Sequence, residues 1–341
     1  MKKFISASLL VCLVSILPVK SQNKYQVAGK FPVEGNGGWD YVASEDDSSR
    51  VYIAHGNVMQ VMNTSTNKII GTLKGLNGAH GVAICENMNH GYVTSGKDSS
   101  YTVFDLNTFK KVRTIPAMGS EPDAVLFDFY TQRLFVGNAR SNDISVFDVS
   151  VDKFIGKIKL DGNPEMLVND DNGHIFVNIE NLSMVCSINA STMKVENKWR
   201  LKEGQEPSGL AIDKVNHRLF SVCDNKLMVI SDYDKGAVVA TVPIGEHPDG
   251  AAFDPILKRA YSSNGDGTLT VVQEVDANTF KVIDNVKTQK GARTLTVNNK
   301  THHIYLPVAE RGEKPKPSAT DPNPRPEVIP NTFVIMDVEV K

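Results

Sequence analysis

The sequence predicts an all-β fold, a seven-bladed β-propeller of four-stranded antiparallel blades closed by the N-terminal strand. Three observations carry that expectation. A pattern of four short strands recurs along the chain. Its copies lie 41–44 residues apart. The last copy runs out before its fourth strand, while an unmatched strand precedes the first. Units of about 40–45 residues with four strands each are the mark of propeller blades.

The clearest copy spans residues 121–160. A short turn leads into an apolar strand ending at Asp128. A polar turn and Arg133 start the second strand. A loop with Asn138 and Asp143 leads to a third strand ending at Asp148, and residues 154–160 make the fourth. Taking Pro122 as the anchor, its equivalents are Trp39, His80, Pro164, Pro207, Pro248 and Ala292. Alternation with period two shows in Ile144-Ser145-Val146-Phe147 and Thr268-Leu269-Thr270-Val271. In the seventh copy a third strand over residues 332–337 leaves only a few residues before the chain ends. Residues 25–33 read as an orphan strand, and pairing them into the last blade removes an exposed edge.

The first residues read as a secretory leader. Lys2 and Lys3 precede an apolar run over residues 4–17, too short for a membrane span, and Val19-Lys20-Ser21 offers a cleavage site. The expected organisation is a signal peptide over 1–21 and a single propeller over 22–341. The alternative is an uncleaved anchor. The approach to Cys12 does not resemble a lipidation site. The expected location is periplasmic or secreted, with no membrane span after signal removal. Cys85, Cys186 and Cys223 fall in or beside strands at spacings that fit neither a metal nor a disulfide framework, so they read as small buried hydrophobes.

Composition narrows the partners. With 22% charged residues, 41% hydrophobic residues and a net charge of −2, the chain has an ordinary globular balance. It carries no basic excess or stripe of the kind that phosphate backbones require, which argues against nucleic acid.

Tyr92-Val93-Thr94-Ser95-Gly96 lies in the second strand of the second copy, and the recurrent order is Pro-Asp-Gly/Ala, strand, Arg, aromatic strand, Asn, Asp, strand, Asp-x-x-Thr. On these residues the chain resembles the YVTN-repeat, surface-layer-type β-propeller family over residues 24–341. The resemblance implies the propeller fold. For function it implies only a scaffold with varied roles, nucleic-acid binding and cofactor-associated oxidation systems among them.

Strand parity sorts the loops. Turns entering the first strand and joining strands two and three emerge on one face, the top. The bottom turns repeat, as in Asp105-Leu106-Asn107-Thr108, Asn189-Ala190-Ser191-Thr192 and Asp276-Ala277-Asn278-Thr279, with side chains suited to bonding the local backbone. Another bottom position holds Arg50, His90, Arg133, His174, Arg218, Arg259 and His303, a structural role. The top turns differ from blade to blade, as expected where a scaffold supports a site. They supply the candidate ligand-binding residues Trp39, Asp40, Lys97, Asp123, Glu165, Glu180, Lys226, His247, Asp249, Asn264 and Glu310, and the candidate catalytic residues His80, His55 and Arg293. A Pro-rich insertion at about 310–331 emerges on the same face and reads either as a lid or as an exposed loop.

Two chemistries fit this ring. His55 and His80, on adjacent blades, are candidate metal ligands with Asp40 and either Glu165 or Glu180, which makes a divalent metal the candidate cofactor. Alternatively His80 moves protons while Arg293, Lys97 or Lys226 holds a carboxylate, the arrangement of a lyase, hydrolase or isomerase acting on a small anionic or sugar-like substrate with Trp39 as a stacking wall. The first expectation is nevertheless an exported binding propeller that takes a small-molecule ligand or a protein partner at the top of the channel. There is no G-x-S-x-G elbow and no haem-attachment motif. Pro207-Ser208-Gly209 is a copy of the repeat turn, and Asn264-Gly265-Asp266-Gly267 reads as a tight turn rather than a phosphate cradle.

Overall fold

The computed structural model describes residues 24–35, 37–45, 49–318, 324 and 326–341. The expected leader and Cys12 lie outside the described residues, as does part of the Pro-rich insertion. Seven four-stranded antiparallel sheets follow one another along the chain. The first blade consists of Trp39–Glu45, Arg50–His55, Val58–Asn63 and Lys68–Lys74, paired in that order. The first strands of successive blades contact one another around the ring and line a central channel.

Burial explains the residue pattern of each strand. Second and third strands are covered on both faces, because each blade is packed between two neighbours. Arg133–Asn138 and Asp143–Asp148 are buried almost throughout. Fourth strands face outwards and alternate, as Lys153–Lys159 does. The alternation in Ile144-Ser145-Val146-Phe147 therefore does not separate core from solvent. Ser145 is fully buried and accepts a hydrogen bond from Asn138 Nδ2 at 2.9 Å. The core lies between blades: one cluster joins Tyr52, Val61 and Leu73 of the first blade to Val93 and Phe104 of the second. Each such side chain contributes about 1.5–3 kcal/mol by leaving water. Cys85, Cys186 and Cys223 are free and buried.

The repeated bottom residues are structural. Asp105 Oδ1 accepts from the amides of Asn107 and Thr108 at 3.0 and 2.7 Å, and Asn189 Oδ1 does the same for Ser191 and Thr192 at 3.1 and 2.9 Å. The arginine at the head of the second strand reaches the next blade. Arg50 donates to Leu106 O at 3.1 Å, Arg133 to Ala190 O at 3.1 Å and Arg218 to Ala277 O at 2.6 Å. One recurrent side chain thus ties each of these blades to its neighbour.

The ring closes as the sequence predicts. Tyr25–Pro32 pairs antiparallel with Val334–Val340, as the outermost strand of a blade whose other strands are Ile304–Val308 and Thr296–Val297. The third strand runs to Val340, three residues further than expected, because Tyr25 gives it a partner there. Tyr25 also pins the closing strand to blade six. Its hydroxyl lies 2.9 Å from that of Tyr261 and accepts from Arg259 Nη1 at 2.7 Å, and its amide donates to Asp284 Oδ2 at 2.9 Å. Replacing Tyr25 by Phe keeps the ring but strands two buried polar partners. Urea denaturation of Tyr25→Phe is expected to show a loss of about 1–3 kcal/mol. An unchanged midpoint would show that the hydroxyl does not hold the closure.

Candidate functional site

A bulge in the inner strands builds the site. In blade one Trp39 pairs with His55 but the next pair is Val42 with Ile53, so two residues oppose one. The same shift follows Ala79, Pro122, Pro164 and Pro207, and a related one follows Pro248. The residue after each anchor therefore occupies one recurrent position at the top of the channel. Around the ring it is Asp40, His80, Asp123, Glu165, Ser208, Asp249 and Arg293.

The register corrects one alignment. Ala79, paired with Ser95, stands where the other blades have Trp39 or proline, and His80 stands one residue on, at the position of the acids. Repeat spacing tolerates a one-residue change in a turn, whereas strand pairing does not. His80 therefore replaces an acid and not a turn proline.

Side chains of second strands hold the ring backbone from the neighbouring blade. Thr94 Oγ1 donates to Asp123 O at 2.6 Å, Asn178 Nδ2 to Ser208 O at 3.0 Å and Ser263 Oγ to Arg293 O at 2.6 Å. Closing the circle, Thr294 Oγ1 donates to Asp40 O at 2.8 Å. Sequence reasoning missed these positions. Their signal is a small polar residue inside an otherwise apolar buried strand. Ser208 keeps its structural explanation, since its hydroxyl donates to Pro248 O at 2.9 Å.

Two clusters form on the ring. His80 Nδ1 is hydrogen-bonded to the Asp40 carboxylate and lies 3.5 Å from Asp123 Oδ1. Arg293 pairs with Asp249. Each of these side chains is more than half buried at the channel mouth. Charged forms are poorly hydrated there. Burial, then the neighbouring Asp40, raises the Asp123 carboxyl well above its usual range. Burial, then Asp123, Glu180, Asp249 and Asp40, pushes Glu165 up to about 9. Asp249 rises to about 6 through burial, held down by Arg293. Burial opposes the imidazolium of His80, yet the hydrogen bond to Asp40 and the charge of Asp123 outweigh it, and its pKa is raised. The Tyr41 phenol is raised by burial and then by Asp123, Glu165, Asp249 and Asp40, so it faces the same acids. Tyr41 itself is buried at 7% exposure.

The other expected residues divide into three groups. His55 is 1% exposed, stacked on Phe333 with ring centroids 3.9 Å apart, and hydrogen-bonded to Gln60 Oε1 at 3.1 Å. Burial lowers its pKa. Among the described residues, the His, Cys, Asp and Glu ligand atoms that converge within 4.8 Å belong to Asp40, His80 and Asp123, and His55 is not with them. Trp39 is buried beneath Phe333 and Arg311, whose Cζ lies 4.9 Å from the indole. It is a wall under the insertion rather than an open stacking surface. Asn264 turns its amide into blade six, donating to Thr268 Oγ1 and Thr270 Oγ1 at 3.0 and 3.1 Å. Glu180 is half-buried and accepts from Asn163 Nδ2 at 2.6 Å, while burial raises its carboxyl. Lys226 pairs with Glu246 at 2.5 Å and His247 with Asp224 at 3.2 Å, all exposed. Lys97 and Glu310 are exposed as well. These last four lie on the rim.

The insertion folds back on itself. Gly312 N donates to Glu327 O and Ile329 N to Glu310 O, both at 2.9 Å, around an Arg311–Val328 bridge. Beside it opens a cavity of about 790 Å³ lined by Gln289, Lys290, Gly291, Arg311 and Pro326. Among the described residues no helix is long and apolar enough to cross a membrane.

No family model and no curated protein matches the chain. Solved structures do. The structure of U3-55K is similar with a TM-score of 0.75 at 9% identity, covering 91% of this chain and 99% of that one. The crystal structure of RRP9 WD40 repeats gives 0.78 at 8% identity, covering 93% and 100%. Likeness at this identity establishes the seven-bladed propeller architecture and carries no chemistry.

Glu165 gives a test of the channel electrostatics. Its folded pKa lies above the ordinary carboxylate value, so the folded state binds the proton more tightly. Its contribution favours folding below that value and is lost as pH rises towards about 9. In chelator-treated protein, Glu165→Gln is expected to melt higher than the parent at alkaline pH and to lose that advantage at acidic pH. Parallel melting curves across the range would refute the assignment.

Proposed function

We propose that this chain is an exported propeller of the YVTN-repeat kind that binds a small ligand at the top mouth of its channel. The observation that carries the binding site is the recurrent ring position. Seven residues follow the anchors of the inner strands, and they are Asp, His, Asp, Glu, Ser, Asp and Arg rather than a repeated structural residue. Blade geometry asks for none of these identities. Concave sites with a few convergent polar groups are where ligands bind, and strongly perturbed carboxyls collect at functional sites. The bottom face, by contrast, is built from repeated turns.

The YVTN kinship rests on Tyr92-Val93-Thr94-Ser95-Gly96 and the recurrent residue order. Export rests on Lys2, Lys3 and the apolar run over 4–17. A second reading, an acid–base enzyme of the lyase, hydrolase or isomerase type, is favoured by the imidazole of His80 standing between two carboxylates. The geometry suits proton movement on a small anionic or sugar-like compound. Binding of a protein partner at the same mouth and binding of nucleic acid remain weaker readings, the latter opposed by the net charge of −2.

A thermal-shift screen of organic acids, sugars and amines tests the site. Hits are expected whose affinity falls about tenfold, about 1.4 kcal/mol, in Tyr41→Phe and in Arg293→Lys. Hits indifferent to both variants would move the ligand away from the ring. Export is tested separately by fractionating cells and sequencing the mature N-terminus, which is expected near Gln22. A protein recovered in the cytosol with Met1 intact would reject it.

A further inference from the structure

The geometry points to a divalent-cation site formed by Asp40, His80 and Asp123, one ligand from each of three consecutive blades, at the top of the channel. The inference rests on the binding role proposed for that mouth and names what first occupies it.

The contacts around one nitrogen carry the argument. His80 Nδ1 faces two carboxylates at once, bonded to Asp40 and 3.5 Å from Asp123 Oδ1. An imidazole nitrogen offers one proton, which the Asp40 bond uses. Asp123 Oδ1 is consequently buried without any hydrogen-bond partner. A buried carboxyl oxygen left without a hydrogen bond costs free energy and requires an explanation. An ion placed among the three residues supplies it, because it takes one atom from each. The ligand atoms already lie within 4.8 Å of one another. Ligands about 2.0–2.2 Å from a tetrahedral ion sit about 3.3–3.6 Å apart, which the His80–Asp123 separation of 3.5 Å matches. The Asp40–His80 hydrogen bond opens to admit the ion.

The second observation is the charge of the surroundings. Glu165 and Asp249 share the channel, and Arg293 is the ring's permanent cation. The mouth holds an excess of acid that a cation relieves. The donor set narrows the class. Two carboxylate oxygens with one imidazole suit a first-row divalent ion, Zn²⁺ or Mn²⁺, better than Mg²⁺ or Ca²⁺, which favour all-oxygen shells. Three protein ligands leave coordination positions for water or for an anionic group of the channel ligand. The carbonyl of Asp123 is fixed by Thr94, so this ligand's backbone is held in place before any ion arrives.

Chelator-treated protein titrated with ZnCl₂ and with MnCl₂ by calorimetry is expected to bind one ion per chain and to melt at least about 3 °C higher at saturation, with MgCl₂ weaker. Asp123→Asn and His80→Gln are expected to weaken binding at least tenfold, while His174→Ala, in a histidine–acid pair on the bottom face, leaves it unchanged. A direct readout that needs no variant is the anomalous signal of Mn or Zn in crystals of the full chain. A peak bonded to His80 Nδ1 and both carboxylates supports the site. A peak elsewhere, or binding that survives Asp123→Asn and His80→Gln intact, overturns it. If no ion binds while organic ligands still depend on Tyr41 and Arg293, the cation inference fails and the binding role stands. If neither binds, both fail.

Discussion

Ring closure is the constraint on which the rest of this structure depends. A propeller blade is covered on both faces only because a neighbour stands on each side, so an opened ring would uncover the apolar faces of two blades and leave a free strand edge. The chain meets the constraint by joining its two ends. Tyr25–Pro32 completes the sheet begun by residues almost at the other terminus, and Tyr25 carries the join onto blade six through Tyr261, Arg259 and Asp284. The bottom-face arginines add a smaller version of the same device, one blade at a time.

Closure also creates the functional problem. Seven inner strands meet around the axis, and a bulge follows the anchor in six of them. Were every blade to carry the consensus acid, seven carboxylates would converge in a poorly hydrated channel. The departures from the repeat relieve this. Arg293 neutralises Asp249, His80 bridges Asp40 and Asp123, and Ser208 replaces an acid altogether. Burial first, and then the repulsion that remains, holds the Glu165 carboxyl far above its normal range. The same repulsion that disfavours the empty channel favours a cation, or a ligand that brings one.

The top face is asymmetric for a related reason. Trp39 and His55 are covered by Phe333 and Arg311, which flank or lie within the insertion of the seventh blade. Among the described residues, the insertion thereby packs over the Trp39 and His55 sector of the mouth. The residues that first attract notice as an indole and a histidine on one face thus serve to seat the insertion, and the chemistry lies one step round the ring.

The sequence by itself determined the blade count, the antiparallel four-stranded unit, the closing strand and the division into a uniform bottom and a variable top. These follow from local periodicity, because six of the seven blades are continuous stretches of chain whose turns bond their own backbone, as at Asp105 and Asn189, and the seventh lacks one strand that the orphan N-terminal strand supplies. It also singled out Asp40, His80, Asp123, Glu165, Asp249 and Arg293 as top residues. Only the tertiary structure decided which of them meet. The one-residue difference between Ala79 and His80 is invisible in a spacing of some forty residues but fixed by pairing with Ser95. That Asn264 turns into its blade, that His55 lies under Phe333 and that Tyr41 joins the acids depend on bulges and on packing between blades far apart in sequence. Periodicity reports which face a residue is on, whereas the contacts across the axis are set by seven strands at once.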